Sequence, residues 1–102
     1  MSAPEPDVAQ MWQAHCDRWF PPLLRGAEVG TIDVVLLDAD TAGCVSSWLG
    51  NGGHLDPERS RILAACVEDL DTVIAVFTDG EESHYLQQLQ IMAAAVLART
   101  QG

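Results

Sequence analysis

Glu81 and His84 stand three residues apart, a carboxylate and an imidazole one helical turn from each other. Four-helix di-metal proteins use this spacing to turn both ligands inward. Such a centre takes two motifs of this kind and two further carboxylates. The motif occurs once here, so a metal-binding bundle would have to be assembled from two subunits, with Glu68, Asp69 or Asp71 adding acids. His15-Cys16 and His54 are further zinc-type ligands, but their spacings fit no closed four-ligand site. His15 falls on an apolar helix face, where an imidazole usually packs with one hydrogen bond. Cysteine with histidine is also the material of nucleophilic catalysis. None of Cys16, Cys44 and Cys66 lies on a sharp turn or at a plain helix start that would favour the thiolate. With no convergent acid, base and nucleophile, the expectation is an interaction or regulatory protein rather than an enzyme, with no cofactor.

The run Val34-Val-Leu-Leu-Asp-Ala-Asp-Thr41 resembles the first motif of the haloacid dehalogenase superfamily, an apolar strand followed by Asp-x-Asp-x-Thr. The resemblance implies Asp38 as the nucleophile on phosphorus and Asp40 as the proton-handling acid. Ile74 to Gly80 is similar to that family's second motif, an apolar strand ending in Thr78. The match covers about a dozen residues and departs from the family pattern. Thr41 follows Asp40 directly, the chain has no lysine, and no later acidic pair is left for Mg²⁺. The length of 102 residues is also short for a doubly wound sheet.

Trp12, Trp19 and Phe20 gather on one short segment beside Pro21-Pro22. Trp12 and Trp19 are seven residues apart and share a helical face, whereas Phe20 points elsewhere. That is more apolar bulk than one small bundle easily covers, and large aromatics are enriched where proteins meet. Trp12, His15, Trp19 and Phe20 are therefore the expected partner interface, and homodimerisation through this helix is the economical expectation.

Five Arg against fifteen Asp and Glu give a net charge of −10. A field of that sign repels nucleic acid and anionic membranes and attracts a partner with a basic surface. The three cysteines are widely spaced, without a Cys-x-x-Cys pair, among apolar residues. They read as small buried thiols of a reduced protein. With no apolar leader and no membrane-length apolar run, the expected location is cytoplasmic.

The elements that must position these groups are helical. Residues 1–6, with two prolines, read as a flexible lead-in, and 7–102 as a single α-helical domain. Asp7 caps a first helix that runs to about Phe20, where the double proline must stop it. Residues 23–30 read as one further turn and a loop. Thr31 or Asp33 then opens a second helix, with Val35, Ala39, Ala42, Val45 and Leu49 on one apolar stripe, Leu37, Cys44 and Trp48 on an adjoining one, and Asp33, Asp40, Ser47 and Asp38 left over for solvent. Gly50-Asn51-Gly52-Gly53 ends it. Asp56-Pro57-Glu58 is the clearest start signal in the chain, opening a third helix that keeps its period to Phe77. Tyr85, Leu86, Leu89, Met92, Ala93, Val96 and Leu97 mark a fourth. The expected fold is all-α, a small antiparallel bundle of about four helices with short loops.

Overall fold

The computed structural model describes residues 7–101. The lead-in expected over residues 1–6 lies outside the described residues. Helix α1 spans Val8–Asp17 and is capped as expected, with the Asp7 carboxylate accepting the N–H of Ala9 at 2.9 Å. It ends three residues before Phe20. Pro21 and Pro22 have no N–H for the carbonyls of Asp17 and Arg18, and Pro21 drives Phe20 out of the α region. Arg18 is already extended, its N–H on the His15 carbonyl at 3.2 Å.

A 3₁₀ turn over Pro22–Leu24 buries Leu24. Next comes a small antiparallel hairpin, β1 (Glu28–Val29) with β2 (Ile32–Asp33), in which Val29 faces Ile32. The sequence reading expects no strand here. A two-residue strand is too short to show an alternating pattern, and its one signal is Gly30, whose φ of +61° makes the reversal.

Helix α2 spans Val34–Gly50, with Asp33 as its cap at 3.1 Å from the N–H of Leu36. Asp38 and Asp40 thus lie within a helix and not at the end of a parallel strand, which removes the phosphotransferase-like reading. Past α2, Gly52 and Gly53 take φ of +67° and +92°, and the Gly53 N–H returns to the Trp48 carbonyl at 2.8 Å. A side chain at either position would be strained.

Helix α3 spans Pro57–Ile74, and Asp56 holds both the N–H of Arg59 at 2.8 Å and its guanidinium at 3.0 Å. It stops short of Phe77: the N–H of Val76 tightens to the Val73 carbonyl three residues back at 3.0 Å, and that carbonyl also takes the N–H of Phe77 at 3.1 Å. Helix α4 spans Gly80–Gln101. Two bonds set the helix pairing: Cys44 Sγ to the Arg59 carbonyl at 3.7 Å, and Gln90 Nε2 to the Val67 carbonyl at 3.2 Å. Both match antiparallel neighbours folded about short loops, so the bundle is all-α apart from the hairpin.

The core joins Leu63, Leu70 and Val73 of α3 to Leu86, Leu89, Met92 and Val96 of α4, with Val34 and Val45 of α2 and Val8 of α1. The α4 stripe is the expected one, except that Leu97 is only half-buried. On α2 the second expected stripe supplies Leu37 and Cys44 to the core, and of the first only Val45 is fully buried. Val34, Leu37, Thr41, Cys44 and Val45 face inward, whereas Val35 and Ala39 are exposed. Apolar residues surround α2, so its pattern does not choose a face. At its start the Val34 N–H bonds the Ala27 carbonyl beside the hairpin at 3.1 Å. Thr41 enters the core without an orphaned hydroxyl, since it donates to the Leu37 carbonyl at 2.7 Å. Among the described residues no helix is long and apolar enough to cross a membrane.

Candidate functional site

The main concentration of buried polar chemistry lies where α1, α2 and α4 meet. His15 comes from the last turn of α1, Asp38 from the second turn of α2 and Tyr85 from the start of α4. The Tyr85 hydroxyl donates to Asp38 Oδ1 at 2.7 Å. His15 Nε2 stands 3.5 Å from that hydroxyl oxygen and 3.6 Å from the same carboxylate oxygen. Tyr85 has one proton, and Asp38 takes it, so the hydroxyl can only accept from His15. This assigns the ring proton to Nε2 and leaves Nδ1 as a bare acceptor. Nδ1 is buried and has no hydrogen-bond partner among the described residues.

Aromatic rings close the cluster. Trp12 stacks on His15 with centroids 6.0 Å apart, and Phe20 meets Tyr85 edge-on at 5.4 Å. Burial lowers the His15 pKa, Arg18 lowers it further, and Asp38 opposes both. Burial is also the main cause that raises Tyr85, reinforced by its hydrogen bond to Asp38 and by that carboxylate's charge. At neutral pH the imidazole is therefore neutral and the phenol protonated. A phenol held this firmly is a poor nucleophile, and the imidazole is covered by rings where an incoming group would need to sit. What the arrangement does well is clasp three helices together.

The expected interface residues separate in the structure. His15 is 8% exposed and belongs to the clasp. Trp12 and Phe20 are half-buried against the core. Trp19, by contrast, is 89% exposed. Beside it opens a cleft of about 250 Å³ lined by Arg18, Trp19, Pro21, Glu81, His84 and Tyr85. The candidate metal ligands Glu81 and His84 are thus exposed walls of the cleft next to Trp19, and do not point into the bundle core. Among the described residues no three His, Cys, Asp or Glu side chains are grouped to hold a metal ion.

Sequence reasoning named Asp38 and Tyr85 in other roles and did not anticipate their meeting with His15. The signal available was Tyr85 itself, the first member of an apolar stripe, since a buried tyrosine hydroxyl almost always finds a partner. Cys44 and Cys66 are buried thiols, and burial pushes both pKa values up, away from reactivity. Cys16 differs from expectation and is exposed, lying to one side of the α1 face that turns Val8 and His15 inward. Comparison with protein families, with curated proteins and with solved structures finds no match to this chain.

Proposed function

We propose that the chain is a protein-interaction module that pairs with a second copy through the corner where α1 meets the double proline. The observation that carries this reading is Trp19, an indole left 89% exposed, whereas Trp12 and Phe20 of the same segment are packed against the core. Leu23, four residues on, is 72% exposed and extends the apolar corner. The adjoining cleft supplies the other half of a self-complementary contact. In a two-fold pair the same patch meets itself, so Trp19 of each copy reaches the cleft of the other.

The energetics suit a modest dimer. An indole removes roughly 150–250 Å² from water, so two reciprocal ones contribute on the order of 10 kcal/mol at ~25 cal/mol per Å². Association itself costs about 4–15 kcal/mol, which leaves Leu23 and the polar walls to decide the outcome. Two chains of charge −10 also repel, so added salt strengthens the pair by screening.

Native mass spectrometry and sedimentation over a concentration series test the reading. The expected result is a concentration-dependent dimer that tightens with salt and is lost in Trp19→Ala. A monodisperse monomer at the highest reachable concentration overturns it. A retained mass matching one or two metal ions per dimer also overturns it in favour of the metal reading, and puts Glu81 and His84 first for substitution.

A further inference from the structure

Between α2 and α3 an open groove runs along the surface, on residues separate from the Trp19 corner. Two adjoining hollows of about 360 and 270 Å³ share Asp40 and Ile62. Their α2 lining runs from Asp33 to Ser47, roughly 20 Å at 1.5 Å per residue. Leu36 rises on one bank, 59% exposed, and Ile62 on the other, 39% exposed. Asp33, Asp40 and Asp69 border the larger hollow, and no basic residue lines it. The arginine of the smaller hollow, Arg59, is already held by Asp56 at 3.0 Å.

Gly43 adds an independent observation. It sits in the interior of α2, where glycine weakens a helix relative to alanine. A Cβ added there would meet nothing within 4 Å. The packing of this chain therefore gives no reason for the missing side chain, and the residue lines the groove. Absence of a side chain on a docking face lets another backbone approach closely.

We propose that this groove docks a basic amphipathic helix of a partner protein. Its apolar face lies over Leu36, Gly43 and Ile62, and its Lys or Arg side chains reach Asp33, Asp40 and Asp69. The length of the groove fits a helix of about fourteen residues. The carboxylates set the sign of the partner and speed the encounter, and the apolar floor supplies the affinity.

The test uses the intact protein and a labelled peptide of about fourteen residues, with leucines at helical spacing on one face and lysines elsewhere. Its control is an isomer of equal composition with the leucines scattered. Anisotropy titrations should show the patterned peptide binding at least about tenfold tighter than the isomer, with amide shifts centred on Leu36, Gly43 and Ile62. Gly43→Gln should weaken binding by a similar factor while leaving the melting temperature unchanged or higher. Asp40→Asn with Asp69→Asn should weaken binding and flatten its salt dependence, and Trp19→Ala should leave it unaltered. Equal affinity for the two peptides overturns the proposal, as do shifts centred elsewhere or a Gly43→Gln protein that binds normally. So does movement of the groove resonances with protein concentration alone, which would make a second copy the occupant.

Discussion

Helix α2 has one face that encloses a carboxylate and another that leaves a leucine in water. Asp38 is tucked under the Tyr85 hydroxyl at 2.7 Å, whereas Leu36 stands 59% exposed on the open α2–α3 side. Hydrophobicity alone orders these residues the other way. On the closed side the charge has a partner, so burying it costs little. On the open side no element among the described residues covers the leucine. The difference teaches that polarity at a helix position is a poor guide to burial when the helix is apolar nearly all round.

The contrast is broken most severely at neighbouring leucines. Leu37 is 5% exposed, and Leu37→Ala should cost about 2–5 kcal/mol in chemical denaturation. Leu36→Ala should stay within about 0.5 kcal/mol of the parent while weakening peptide docking. Equal losses at the two sites would show that α2 is rotated from the position described. Tyr85→Phe keeps the ring and deletes the clasp. It should cost about 1–3 kcal/mol, because Asp38 and His15 then lose their shared partner, and a neutral result would reduce the cluster to mere ring packing.

His15 sharpens the comparison through pH. Its pKa in the folded chain lies below the ordinary 6.5, so between the two values the unfolded chain binds more protons. Stability therefore falls as pH drops from 6.5 toward the folded value, then levels off. Denaturation midpoints between about pH 7 and 5.5 should show this slope in the parent and a flatter one in His15→Gln. A parallel slope in both would assign the pH dependence to other groups. A modest gain is expected at Gly43, where Ala should stabilise the fold by about 0.5–1 kcal/mol. Destabilisation there would reveal a packing constraint in the monomer.

Much of the architecture was legible in the sequence, and unevenly. Asp56-Pro57-Glu58 marked the start of α3, and the stripe from Tyr85 to Val96 marked the buried face of α4, because both signals act within one or two turns. The early end of α1 was obscured because proline acts on carbonyls four residues back. The hairpin was too short to carry a pattern. For the site, the Trp12, His15, Trp19 and Phe20 group was noticed as a set, but only Trp19 stands out in water, and Asp38 was read as a solvated charge.

Caps, breakers and apolar period are local properties, and they determined that this chain forms helices and roughly where each begins. Which face of α2 turns inward was decided by its packing into the common core with α3 and α4. The clasp was decided by tertiary structure alone, since Tyr85 meets Asp38 and His15 across 47 and 70 residues of chain. No local signal spans that separation. Only the packing of α1 and α4 against α2 brings a phenol to the carboxylate and leaves Trp19, one turn beyond His15, in water.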